Sequence, residues 1–318
     1  MLEGTSRSCS GVATGVAGAA LALAALAASA DARKPGGRES AAGSIYALCG
    51  PNVCRIDVAT RRSTIVLRRS TDKEYASVAA SPSGQTLAFV YDGDLFRSGR
   101  DGRGRHELDQ SGYGTYGLSV SPNGRSVSWF ARVNSQQCFT DFNLNYICTP
   151  VTYTNLYSQG LSEREADSHG RPSTTAGWYR TQLVAQTEPE EGEADYICVI
   201  DDDGDCTRTV AQDPARAYSS PSTSPDGRYL AVVSEPVPPE NGDMDFEGRI
   251  EIWNAANGRK LRNLTEGTKD DTPIFSPDGK TVAFQRGKDI LTRAVKGGRP
   301  KLVKRGATLT GPSWTRGQ

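Results

Sequence analysis

The sequence predicts an all-β protein, a six-bladed β-propeller of four-stranded blades. Three observations carry that expectation. One ten-residue phrase occurs four times, its copies and two degenerate relatives recur at intervals of 39 to 54 residues, and each end of the chain supplies the part of a blade that the other lacks. The phrase reads "SPSGQTLAFV" from Ser81, "SPNGRSVSWF" from Ser121, "SPDGRYLAVV" from Ser224 and "SPDGKTVAFQ" from Ser276. Proline presets φ for the second position of a type I turn, Asp or Asn tolerates the third, and Gly supplies a positive φ at the fourth. A short apolar run follows each time, so the phrase reads strand, tight turn, strand. Its Ser and Asp residues are turn formers, not catalytic groups.

Two further anchors come from the upstream half of the repeat. Pro221 and Pro273 lie three residues before Ser224 and Ser276, and the same interval separates Pro172 from Thr175 and Pro312 from Thr315. The first of these continues as "AGWYRTQLVAQ", a degenerate copy two residues longer; the second lies at the end of the chain. The anchors are then Ser81, Ser121, Thr175, Ser224, Ser276 and Thr315. A period near 40–50 residues with several strands in each indicates a propeller. Proline cannot donate to a ladder, which places the strand before each turn at a sheet edge, the innermost strand facing the central channel. Between anchors, "DYICVIDDDGDCTRTV" (195–210) and "GRIEIWNAANGRKLRNLT" (248–265) each read as strand, turn, strand. "SIYALCGPNVCRIDVATRRSTIVL" (44–67) supplies three strands without an inner one, and "TLTGPSWTRGQ" (308–318) supplies an inner strand alone. Together they complete one blade and close the ring.

Residues 12–30, "VATGVAGAALALAALAASA", carry no charge and end in small residues, the pattern of a secretory signal peptide. The expected organisation is a signal peptide over 1–30, a linker over 31–43 and the propeller over 44–318. The expected location is periplasmic or secreted, with a retained N-terminal membrane anchor as the alternative. Beyond the leader, Cys49, Cys54, Cys138, Cys148, Cys198 and Cys206 fall as three close pairs. No Cys-x-x-Cys spacing accompanies them and the chain has only 2 His, so hairpin disulfides are expected rather than a metal site. The "DDDGD" stretch at 201–205 lacks the ligand spacing of an EF-type calcium loop and reads as a hairpin turn.

The four phrases, with "PSWT" at 312–315, resemble the WD-like propeller repeat of the TolB family. The resemblance covers about residues 44–318. TolB carries an N-terminal α/β domain ahead of its propeller, whereas here only about a dozen residues separate the leader from the first strand. Prolyl oligopeptidase-type enzymes attach such propellers to an α/β-hydrolase domain, but no Gly-x-Ser-x-Gly occurs in this sequence.

Charge and site complete the reading. Lys and Arg number 37, as do Asp and Glu. That zero sum leaves no overall field to attract nucleic acid or anionic lipid, so neither is an expected partner. Propellers bind at the channel mouth, and the residues upstream of the anchors expected there are Tyr75, Tyr116, His169, Arg171, Tyr218, Asp270 and Asp271. Three tyrosines with a few charges suit a protein segment or a polar small molecule. The expected function is a non-catalytic binding or scaffold propeller, a monomer without cofactor or metal. The alternative is a channel enzyme of the metal-dependent lactonase or lyase type, to which Asp270, Asp271 and His169 would contribute.

Overall fold

The computed structural model describes residues 42–316, except 71, 109–112, 141–145, 161–165, 170–174, 188–193, 238–247, 268 and 312. The chain divides after Gly37, and every described residue lies in the second unit. The leader, most of the linker, Arg171, Pro172, Pro312 and most of the acidic loop before Gly248 lie outside the described residues.

Six four-stranded antiparallel sheets form the six blades of a propeller. Blade one takes β1 (Ser44–Cys49), β2 (Asn52–Asp57) and β3 (Ser63–Leu67). Blade two is β4 (Tyr75–Ala80), β5 (Thr86–Tyr91), β6 (Asp94–Gly99) and β7 (His106–Glu107). Blade three is β8 (Tyr113–Val120), β9 (Ser126–Thr140), β10 (Tyr146–Gly160) and β11 (Asp167–Ser168). Blade four is β12 (Ala176–Tyr179), β13 (Gln182–Thr187), β14 (Tyr196–Ile200) and β15 (Cys206–Ala211). Blade five is β16 (Arg216–Thr223), β17 (Tyr229–Pro236), β18 (Arg249–Asn254) and β19 (Arg259–Asn263). Blade six is β20 (Asp270–Phe275), β21 (Thr281–Arg286), β22 (Asp289–Ala294) and β23 (Lys301–Arg305). The final strand, β24 (Trp314–Thr315), joins blade one ahead of β1.

The repeated turn works through one hydroxyl. Ser276 Oγ donates to Asp278 Oδ1 at 2.6 Å and accepts the Thr281 N–H at 3.0 Å, while Gly279 takes φ 67°. Ser224 does the same with Asp226 and Tyr229, and Ser121 with Asn123 and Ser126. At Ser81 the partners are Ser83 and Thr86. All four anchor serines are buried, so each hydroxyl satisfies a ladder group that water does not reach.

The degenerate relative in blade four differs from expectation. In blades two, three, five and six the inner strand ends directly before its anchor, but β12 runs four residues past Thr175. Its turn is Arg180–Thr181, with Arg180 at φ 58°. Thr175 instead accepts the Ser220 N–H at 2.9 Å from the neighbouring blade. The Pro-x-x-Thr interval at 172–175 is therefore not the counterpart of Pro221–Ser224.

Burial follows the blade interfaces. Six apolar clusters occupy the six gaps between neighbours; one holds Tyr46 and Val53 against Val78 and Phe89, another Ala231 and Ile250 against Phe275 and Phe284. Closure depends on the last strand. Ser44 pairs with Thr315 and Ile45 with Trp314, Ser313 Oγ donates to Tyr46 O at 2.6 Å, and Trp314 packs with Ile45 and Ile274. Cys49–Cys54, Cys138–Cys148 and Cys198–Cys206 are bonded as expected. They are not all surface staples, since Cys54 and Cys198 are buried.

Truncating Trp314 to Ala is expected to cost about 3–5 kcal/mol, read as a lower urea midpoint with an unchanged slope. Deleting 308–318 removes the cover from two blade faces and is expected to lower the melting temperature of the whole domain; an unchanged melt would contradict closure. Peptide mapping without reduction is expected to show only the three local disulfides, each contributing roughly 2–3 kcal/mol at most by loop-entropy reasoning.

Candidate functional site

The inner strands approach one another closely midway along the channel. A Cβ on Gly311 would lie 2.3 Å from Leu118 O and 3.3 Å from Val78 O, and one on Gly177 would lie 2.5 Å from Pro221 O. Thr310 bonds to the Ser77 hydroxyl and accepts the Val78 N–H. The segment leading into β24 thus fills space between blades one, two and three, and any larger side chain there would collide with backbone.

Beyond that constriction, at the anchor end, a pocket of about 70 Å³ opens. All six blades line it, through Trp314, Pro82, Pro122, Trp178, Pro225 and Pro277 in blade order. The prolines are the second residues of four repeated turns, so the element that makes the hairpin also makes an apolar wall. Ser119 Oγ, Trp178 Nε1 and Trp314 Nε1 are buried and without a hydrogen-bond partner in the structure, and all three residues line this pocket.

The residues expected at the opposite mouth, where inner strands begin, meet different fates. Tyr75 is buried against Phe89 and Tyr91, and its hydroxyl accepts from Arg105 Nη2 at 3.0 Å. Tyr218 has no exposed surface and meets Trp253 edge-on. Burial and the neighbouring Glu251 carboxylate push its phenol well above the ordinary range. Tyr116 is half-buried and stacks on Phe130. The three rings belong to three different blade interfaces and form no common surface. Strand starts bulge away from regular register, which turns these side chains into the inter-blade core rather than the channel.

His169 follows β11, the outermost strand of blade three. Its Nε2 lies 2.7 Å from Ser158 Oγ and its Nδ1 3.1 Å from Asp202 O in blade four, so it joins two outer flanks away from the inner strands. Asp270 is buried and takes both oxygens to Arg286, at 2.6 and 2.9 Å. Asp270, Asp271 and His169 do not meet, and among the described residues no group of three His, Cys, Asp or Glu is placed to hold a metal. The Asp201 carboxylate accepts the Asp203 and Asp205 N–H groups, which makes "DDDGD" the turn the spacing predicts.

Asp271 alone of the expected carboxylates is exposed. It accepts from Ser220 Oγ of blade five at 3.3 Å. Burial, and then Asp271 nearby, raise the Glu235 carboxyl, with Arg216 opposing. Ser220 and Thr272 both take positive φ, 52° and 47°, directly before a proline, a strained choice for non-glycine residues. Both mark the bulges where the inner strands of blades five and six re-aim.

One charged residue escaped the sequence reading. Glu251 on β18 has no exposed surface and takes hydrogen bonds from Arg249 Nε (2.8 Å), Lys260 Nζ (2.6 Å) and Trp253 Nε1 (3.2 Å). Burial by itself would raise its carboxyl, but the bonds and charges of Lys260 and Arg249 outweigh that and hold it below the usual range. The pattern "RIEIW", one carboxylate inside an apolar strand, was the available signal. A depressed carboxyl stabilises the fold above its unfolded value of about 4.3 and loses that contribution as pH falls through the folded value. Glu251→Gln is therefore expected to cost roughly 1–3 kcal/mol at neutral pH, by removing the charge that the half-buried Arg249 and Lys260 bond, and to reduce the loss of stability on acidification, both measured by urea melts across pH.

Compared with family models and with curated protein sequences, the chain matches none. Solved structures do resemble it. TolB from Acinetobacter baumannii superposes with TM-score 0.62 at 18% identity, covering 85% of this chain and 66% of that one. A TolB candidate from Agrobacterium tumefaciens gives 0.61 at 17% identity, covering 86% of this chain and 94% of that one. A chain of a nidogen/laminin complex gives 0.59 at 12% identity, with 85% and 96% covered. The fold is that of a TolB-like six-bladed β-propeller. The chain spans slightly less than two thirds of the Acinetobacter protein, 66% of its length.

Proposed function

We propose that the protein is a non-catalytic propeller that binds another protein at the anchor end of its channel, outside the cytoplasm. The pocket there carries the reading. At about 70 Å³ it is far smaller than the roughly 300–1,000 Å³ of small-molecule sites, and its wall is proline and tryptophan rather than acid or base. A space of that size and character suits one apolar side chain of a partner segment, with the ring of turn prolines around it as contact surface. The structure of a nidogen/laminin complex supports the general use of such a fold in protein association. Three disulfides support an oxidising compartment, periplasmic or secreted. Tyr116 and Asp271, the less buried of the residues expected at the other mouth, form the competing contact surface.

The test replaces turn prolines by glutamate, P122E/P225E/P277E. The second position of a type I turn accepts most residues, so the hairpins persist while the pocket rim becomes acidic. Photo-crosslinking from position 82, a lining residue that the variant leaves free, with the captured chain identified by mass spectrometry, is expected to give one partner whose yield falls at least tenfold in the triple variant. No capture from the pocket probe in the unmodified protein, with capture instead from a probe at position 271, would move the site to the other mouth, and an unchanged yield in the folded triple variant would remove the proline rim from the contact.

A further inference from the structure

The zero net charge conceals a segregation of charge around the ring. Residues 290–316 contain 7 Lys and Arg and no Asp or Glu, and residues 58–71 contain 4 Arg and no acid. By contrast, residues 188–205 hold 9 acids and no cation. The fold brings the two basic segments together. Lys304 on β23, the outer strand of blade six, donates to Ser63 at the start of β3, the outer strand of blade one, at 2.9 Å. Arg61 and Arg62 join the turn at 58–60 to Ser63, and Lys296 lies in the turn leading to β23. Arg61, Arg62, Lys296, Lys301 and Arg305 are exposed, Lys304 is half-exposed, and none of them makes an ion pair among the described residues.

Keeping cations on an outer edge also blocks unwanted strand pairing. That accounts for Lys301 and Lys304, but not for Arg61, Arg62 and Lys296, which lie outside the strands. Nor is it general here, because the outer strands of blades two and three, β7 and β11, read "HE" and "DS".

We propose that the outer wall of blades six and one binds a linear acidic polysaccharide, its carboxylates or sulfates lying along this belt of unpaired cations. The residues of this wall separate this occupant from other polyanions. Neither 58–71 nor 290–313 contains an aromatic residue, so no platform exists for stacking single-stranded bases. Three disulfides favour an oxidising compartment, on the far side of the membrane from the anionic cytoplasmic leaflet. Ile65 is the one large exposed apolar side chain beside the belt, too little to insert into a bilayer. A polysaccharide needs only spaced cations on a convex wall.

The probe is heparin, a carboxylated and sulfated chain, with affinity measured in solution across salt concentrations. The wild-type protein is expected to bind despite its zero net charge, with the logarithm of its affinity falling linearly with log salt. The variant R61Q/R62Q/K301Q/K304Q/R305Q is expected to lose at least tenfold in affinity and most of the salt slope. The control R103Q/R125Q/R180Q/R228Q/K280Q removes the same charge elsewhere and is expected to bind within about twofold of wild type, with folding of both checked by thermal melting. Should the belt variant not fold, R61Q/R62Q alone is expected to give a smaller loss of the same sign. No heparin binding by the wild-type protein at about 0.05 M salt overturns the proposal. So does equal loss in the control, or tighter binding to duplex DNA or to phosphatidylglycerol vesicles than to heparin. The outcome is independent of the pocket variant, which leaves these cations in place.

Discussion

Every blade of this ring is apolar on both faces, so none is stable without a neighbour on each side. That requirement turns a two-residue strand, Trp314–Thr315, into the closing contact of the whole domain. Blade one takes its inner strand from one end of the chain and its other three from the other end, and the Ser313 hydroxyl on Tyr46 O ties them. A linear stack would leave two faces bare at a cost of roughly 25 cal/mol for each Å² of apolar surface. Long-range closure is what converts six sheets, each made of local hairpins, into one cooperative unit.

The parts of the fold legible in the sequence are those written by local chemistry. A Ser-Pro-Asp-Gly turn is specified within four residues, and its anchor hydroxyl reaches only two and five residues ahead. The hairpin cysteines are local in the same sense. The fourth blade shows where this logic ends. Thr175 sits at the right interval from a proline, yet the strand runs on to Tyr179, because Gly177 and Trp178 are what fit against Pro221 and Thr223 of blade five. That fit is a contact between blades, which no single copy of the repeat encodes.

The candidate site was legible only as a direction along the channel. Tyr75 opens its strand and Tyr218 stands two residues past the start of its own, positions that in a regular ladder would reach the rim. Bulges rotate them into the blade interfaces, and a bulge in a non-glycine strand, such as Ser220 before Pro221, carries no clear mark in the sequence. The prolines that wall the pocket were visible throughout but had been fully explained as turn formers. A residue with a sufficient structural reason can still face a site, and only the ring geometry shows that four such residues converge.

Composition hid the charge pattern for a related reason. A sum over the chain discards position, while a field at a surface depends on which charges lie within about 8 Å of one another at physiological salt. Here the 7 cations of 290–316 have no acid within that segment, and the fold adds the arginines beside β3 rather than the acids of blade four. A propeller permits this because each blade contributes its outermost strand to a different sector of the wall. Charge can therefore be set blade by blade without disturbing the core, whose contacts are apolar except at points such as Glu251. The anchor end of the channel and the outer wall are separate surfaces of one ring, so the two proposed contacts share no residues.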